Sequence, residues 1–309
     1  MNYINPYHFL NPHLHNDNSV VKLHNLQNIY TVLRKPPVIC KYKSDVIANL
    51  KKNCLFTDLV FENHVVYYSK HMCVVEPVSC KGDIVVIVAD TTWGEQYYHF
   101  ITEVLPSVLY LWNNNHIYPI VTHDNTFIEP IFRFFGVNEI LLDKIPENTK
   151  KIIKQPYIEC GNPSPEKIGL IRDKLKKTVI FEKKIGIFIV RKENYRNVMN
   201  SDDVLDVLQK HYKDIEWHIF YMMNIQETIS LFSKAAIIVA PDGAGLTNMV
   251  FSPNEITVIE FMDIDSPNVC YWHLSEMLHN TYFMIPCKTV NSNFFLDLKE
   301  LSELLPKNI

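Results

Sequence analysis

The stretch Ile237-Ile238-Val239-Ala240-Pro241-Asp242-Gly243-Ala244-Gly245-Leu246-Thr247-Asn248-Met249-Val250-Phe251, continued by Ile256-Thr257-Val258-Ile259-Glu260-Phe261, decides the fold. A β-branched apolar run breaks at Pro-Asp-Gly, restarts with helix-compatible residues and closes on a second apolar run, which spells strand, glycine turn, helix, strand. Such a βαβ unit presents its turn at the carboxyl end of a parallel sheet, where glycines let backbone approach a ligand closely. The helix after the turn would offer unpaired N–H groups and a positive dipole end to a phosphate or pyrophosphate. A tight turn that merely packs helix on sheet would use the same two glycines, so the turn alone leaves both uses open.

Working outward, the same alternation recurs on both sides. Toward the N-terminus of the stretch, Ile185 to Val190 reads as a strand, a helix starts near Asp202 behind Ser201-Asp202-Asp203, Trp217 to Phe220 is a strand, and Ile225 to Ser233 a helix. An earlier series has strands at Ile84 to Ala89, Pro119 to Val121 and Ile140 to Leu142, with a helix from Thr126 to Phe135. Between Glu95 and Trp112 apolar residues recur at helical spacing, and Pro106 should kink or end a first helical piece. Two consecutive βα series predict an α/β protein with two Rossmann-like lobes facing a cleft. The expected boundaries are 1–178 for the first lobe, with an irregular or antiparallel lead-in over 1–80, and 179–290 for the second. The remaining 291–309 would carry a short helix, Asp297 to Leu305, packing back toward the first lobe.

Composition narrows the class. The chain has 309 residues, 47% of them apolar, enough for two ordinary cores, and a formal net charge of −4 that gives no reason to expect nucleic acid. No run approaches the roughly 20 apolar residues of a membrane span, and Met1 to His8 has neither a basic start nor an apolar core. Seven scattered cysteines without a Cys-x-x-Cys pair read as reduced thiols, and no Asn-x-Ser/Thr acceptor occurs. A soluble, cytoplasmic chain is expected from these features.

Two further segments bear on chemistry. In Arg191-Lys192-Glu193-Asn194-Tyr195-Arg196, Arg191 leaves the end of a strand, where paired guanidiniums could clamp a diphosphate, although a solvated, salt-bridged loop would look the same. In Tyr97-Tyr98-His99-Phe100-Ile101-Thr102-Glu103-Val104-Leu105-Pro106, His99 and Glu103 are four apart and share one helix face, beside apolar and aromatic residues that shift proton affinities.

Taken with these two segments, Gly243-Ala244-Gly245-Leu246-Thr247-Asn248 and Glu260 resemble the hallmark motifs of glycosyltransferase family 61, in the family's order along the chain. The resemblance implies a B-type glycosyltransferase fold and an inverting, metal-independent transfer. The sugar would pass from a nucleotide-sugar donor, a UDP-sugar, to a glycan or protein-linked glycan acceptor. Xylose, arabinose and N-acetylglucosamine are sugars that relatives use. No cofactor and no metal are expected, and a homodimer is compatible with the pattern. By the same resemblance Arg191, Arg196, Asn200 and the backbone of Gly243, Ala244, Gly245 and Leu246 would hold the donor, Thr247 and Asn248 would add polar contacts, and Glu260, read as a strand-end carboxylate, would accept from ribose hydroxyls. Glu103 would be the base with His99 orienting it or binding phosphate, or the two roles would be exchanged.

At one position the chain departs from the family. Where the family carries His before Gly-Ala-Gly, this chain has Asp242. An ionised aspartate only accepts hydrogen bonds and would repel a diphosphate, so it must point elsewhere, bind a sugar hydroxyl, or be neutralised by Arg191 or Arg196. A catalytically impaired sugar-nucleotide or glycan-binding protein is therefore one alternative. A metal-dependent transferase using Asp263 and Asp265, an Asp-x-Asp pair of hard oxygen ligands, is the other.

Overall fold

The computed structural model describes residues 35–40, 57–61, 64–66, 68–69, 72–73, 84–89, 94–113, 117–142, 149–154, 165–191, 195–263, 265 and 268–307. The chain divides into two compact units, Gln27–Lys174 and the residues from Leu175 onward.

The first unit opens with β1 (Lys35–Cys40), β2 (Thr57–Phe61) and β3 (His64–Val66), followed by the hairpin β4 (Tyr68–Ser69) and β5 (Met72–Cys73). β2 pairs antiparallel with β3, as the lead-in was read, but β1 joins β2 in parallel. The main sheet holds β6 (Ile84–Val88), β7 (Ile120–Thr122), β8 (Ile140–Leu142) and β9 (Thr149–Lys154), all parallel, in the order β8-β7-β6-β9. β9 escaped the sequence reading because Thr-Lys-Lys-Ile-Ile-Lys is lysine-rich, a composition suited to the sheet edge it occupies. Among the helices, α1 (Tyr97–His99) runs through a π-helical turn at Phe100–Val104 into α2 (Leu105–Asn113), and α3 (Ile128–Phe134) follows β7. Pro106 does not end the helix as expected. The hydrogen-bond register widens ahead of it, Leu105 N–H reaching Phe100 O, and the proline falls in the first turn of α2, where a missing N–H costs little. Phe100 and Phe132, both fully buried, meet edge to face at 5.0 Å and tie this helix to α3. α4 (Pro165–Leu175) closes the unit.

The second unit is a five-stranded parallel sheet of β10 (Ile185–Ile189), β11 (Glu216–Phe220), β12 (Ala235–Pro241), β13 (Thr257–Asp263) and β14 (Thr281–Cys287), ordered β11-β10-β12-β13-β14. The chain goes from β10 outward to β11 and then returns across β10 to β12, so the order reverses between β10 and β12. Ligands of open α/β sheets bind beyond the carboxyl ends of the strands at such a reversal. One sheet face packs Phe188, Ile237, Val239, Ile259 and Phe261 on Val204 and Leu208 of α5 (Ser201–His211) and on Leu301 of α8 (Leu298–Leu304). The C-terminal helix packs on the core of the second unit through Leu301 and Leu305. α6 (Ile225–Phe232) and α7 (Cys270–Met277) complete the unit. Ser201 is the first helical residue of α5 rather than its cap; Asn200 takes the cap position, and Asp202 and Asp203 supply the acidic first turn.

The segment after the glycine turn, Ala244–Phe251, is a 3-10 helix rather than an α-helix, and Leu246 through Phe251 are all buried. Among the described residues no helix is long and apolar enough to cross a membrane.

Candidate active site

The order reversal in the second unit brings together two of the segments singled out in sequence, the glycine turn and Arg191 to Arg196. β10 delivers Arg191 two residues past its end, β12 delivers Asp242 and Gly243, and the loop before α5 delivers Tyr195 and Arg196. Gly243 sits at φ 158°, ψ 168°, a backbone region open essentially to glycine alone, and a Cβ there would collide with Arg191 Nη1. Its lack of a side chain is what lets that guanidinium lie against the turn. Gly245 has a different reason: a Cβ there would stand 2.8 Å from Ile189 Cγ2, so this glycine serves close packing of the turn on β10. Both glycines thus permit close packing, one against a guanidinium and the other against β10.

The two arginines flank one ring. Arg191 Cζ lies 5.2 Å and Arg196 Cζ 5.8 Å from the centroid of Tyr195, cation–π distances that bring two positive groups together on a half-exposed tyrosine. Arg196 adopts φ 57°, unusual for a residue with a side chain; its N–H donates to Ser292 O at 2.6 Å, which pins the turn. Its guanidinium reaches Asp242, Nη1 to Oδ2 3.1 Å. Of the three fates open to Asp242, neutralisation by Arg196 is the one adopted. Burial pushes the Asp242 carboxyl up, while Arg196 and Arg191 pull it down.

Glu260 corrects its sequence assignment. β13 continues through Met262 to Asp263, and its parallel pairing with β14 extends to Asp263↔Cys287. Glu260 is therefore mid-strand and fully buried. Its Oε2 accepts from the Tyr282 hydroxyl, and burial followed by the Asp242 charge holds its carboxyl well above the ordinary 4.5. Burial likewise pushes the neighbouring Cys270 thiol and Tyr282 phenol well up, so both stay protonated.

Other assigned residues lie in structural positions. Asn200 spends both ends of its amide on Leu296, donating to its carbonyl at 2.9 Å and accepting from its N–H at 3.1 Å. Asn248 donates to Gly245 O at 3.0 Å inside the 3-10 helix, and Thr247 is fully buried. Leu246 is fully buried too, leaving Ala244 and Gly245 as the half-buried opening of the turn. Asp263 accepts from Thr289 Oγ1 at 2.8 Å and from Asp265 N–H at 3.0 Å, so both of its oxygens have partners.

In the first unit, His99 Nδ1 and Glu103 Oε1 stand 2.6 Å apart, a short hydrogen bond. Glu103 is fully buried while the His99 ring is slightly exposed. The pair straddles the π turn, a feature that recurs at functional sites because it re-aims one side chain within a helix.

Residues 97–259, more than half of the chain, match the family described as Glycosyltransferase 61. The chain belongs to this family. The matched span takes in His99, Glu103, Arg191, Arg196 and the turn from Asp242 to Asn248, and ends one residue before Glu260. Within family 61 the chain is 29% identical over 98 residues to the EGF domain-specific O-linked N-acetylglucosamine transferase of Drosophila melanogaster. That similarity covers 31% of this chain and 19% of the fly protein.

Three residues of the site were missed by the sequence reading. Tyr195 sat unremarked between the arginines, and its exposure gave no core signal. Tyr282 lies in β14, where Pro286 argues against a strand; as the sheet's edge, β14 tolerates it. Lys167, on α4, acts electrostatically on Glu103: burial pulls its ammonium down, and Glu166 and Glu103 hold it up. No spacing rule links position 167 to position 103.

Proposed function

We propose that this family 61 transferase moves a sugar from a UDP-sugar to a hydroxyl of a glycan or protein-linked glycan, with inversion and without a metal, in a B-type arrangement of two lobes. The observation that carries the reading is the pair Arg191 and Arg196 gathered on Tyr195 against the Gly243 turn, at the order reversal of a parallel sheet. Two fixed guanidiniums suit a diphosphate, which each can grip through two N–H groups. In a single displacement the acceptor oxygen bonds to the sugar's anomeric carbon as the bond to the diphosphate oxygen breaks. The acceptor proton goes to Glu103, or to His99 through the bond they share, and the charge leaving with the nucleoside diphosphate falls on the arginines. On this reading guanidinium, rather than a divalent cation, supplies that positive charge. Undiminished transfer in EDTA is the expected result, and loss restored by Mg²⁺ or Mn²⁺ would reject the metal-free reading.

The donor site is tested by thermal shift against UDP and UDP-sugars, with UDP-N-acetylglucosamine included because the fly relative is named for that sugar. A ligand at 100 times its Kd stabilises a folded protein by about 2.7 kcal/mol, enough to raise the melting temperature measurably. UDP should raise it for the wild type and leave Arg191→Ala where it was. Equal shifts in both proteins would remove Arg191 from the donor site.

A further inference from the structure

Asp242, Glu260 and Tyr282 come from three neighbouring strands and share one face of the sheet. The register places Ala240 beside Glu260 and Val258 beside Tyr282, and side chains two apart on a strand point the same way. The face they occupy is closed: Asp242 is 3% exposed and Glu260 not at all. Two of the four carboxyl oxygens have donors, Asp242 Oδ2 from Arg196 and Glu260 Oε2 from the Tyr282 hydroxyl. The other two, Asp242 Oδ1 and Glu260 Oε1, are buried and have no hydrogen-bond partner among the described residues. Two ionised carboxylates on one closed face would repel and, since each only accepts, would leave both oxygens unsatisfied; a proton on one of them relieves both costs.

The charges around the pair decide which one. Arg196 touches Asp242 directly, and Arg191 also favours its ionised form, whereas Asp263 opposes it. Glu260 faces the Asp242 charge, the Tyr282 phenol and the Cys270 thiol, and among the described residues the cation that acts on it is the same Arg196, which is paired with Asp242. The proton therefore belongs on Glu260.

We propose that Glu260 is a positioning residue that stays protonated at neutral pH, donating from Oε1 to Asp242 and accepting from Tyr282, and so fixing the carboxylate that anchors Arg196. This rests on the donor-site reading only for what Arg196 does; the proton on Glu260 stands apart from it. The family histidine is thus replaced by a charged aspartate that a neutral acid beneath it and an arginine above it hold in place. Burial and the Asp242 charge push the Glu260 carboxyl in the direction this needs.

The test compares Glu260→Gln, whose amide can both donate to Asp242 and accept from Tyr282, with Glu260→Ala, which can do neither. Infrared spectra of the wild type at neutral pH should show a buried carboxylic-acid band that vanishes in Glu260→Gln. Identical spectra would overturn the proposal. Measured by calorimetry, Glu260→Ala should bind UDP about tenfold more weakly than the wild type, with Glu260→Gln recovering most of the loss. A glutamine variant as weak as the alanine one would show that the charge matters, and the proposal would fail. Should the wild type bind no UDP, the donor-site reading falls, while the infrared band still decides the state of Glu260.

Discussion

Glu103→Gln should abolish sugar transfer while leaving UDP affinity as it is in the wild type. Glutamine matches glutamate in volume and can keep a hydrogen bond to His99, so the buried position is preserved and only the capacity to take a proton is lost. General-base catalysis contributes on the order of 10²–10⁴-fold, and that is the expected fall in kcat. The groups proposed for the diphosphate, Arg191 and Arg196, belong to the other compact unit, which is why binding and turnover should separate. His99→Ala resolves the pair: with Glu103 as base, loss of the imidazole lowers kcat partly by freeing the carboxylate from its orienting bond, whereas with His99 as base both substitutions silence the enzyme equally. Full turnover by Glu103→Gln, measured in a transfer or donor-hydrolysis assay, would take Glu103 out of the role.

The sheet core and the glycine turn were legible in the sequence because they rest on local signals. Short runs rich in β-branched and apolar residues marked β6, β10, β12 and β13 within a residue or two, and an i, i+4 spacing sufficed to bring His99 to Glu103. What was not legible depended on partners distant in sequence. Glu260 reads as a strand end only if the strand closes at Phe261; pairing with β14 carries it through Met262 to Asp263 and leaves the carboxylate mid-strand. Asn200 matched the family motif by position, but Leu296, ninety-six residues on, takes both ends of its amide. Side-chain type showed that Asp242 needed neutralising and named two candidate arginines. The choice between them came from the turn at Arg196, whose positive φ and bond to Ser292 aim its guanidinium at the carboxylate.

That ion pair yields a second large expected effect. Arg196→Ala should destabilise the protein by about 1–3 kcal/mol near neutral pH, the cost of leaving a buried acceptor short of its donor. The figure is held below that of a fully buried pair because the Arg196 side chain is 41% exposed and partly screened by water. The sign of the pH dependence follows from the charges. Asp242 already lies above its ordinary 3.8 through burial, and Arg196 is the largest influence pulling it back down. Without the arginine the carboxyl rises further, so the folded variant takes up a proton that the unfolded chain releases at lower pH. A raised acid contributes stability that is complete below its unfolded value and lost as pH climbs through its folded value. The deficit of Arg196→Ala should therefore be small near about pH 5 and grow toward about pH 8. Asp242→Asn carries no charge to strand, so Arg196→Ala made in that background should cost little and show no such slope. Urea unfolding of the four proteins at both pH values gives the coupling energy directly. Additive losses, flat with pH, would mean that the Arg196 guanidinium does not compensate Asp242, and that the chain's departure from the family histidine is balanced by some other group.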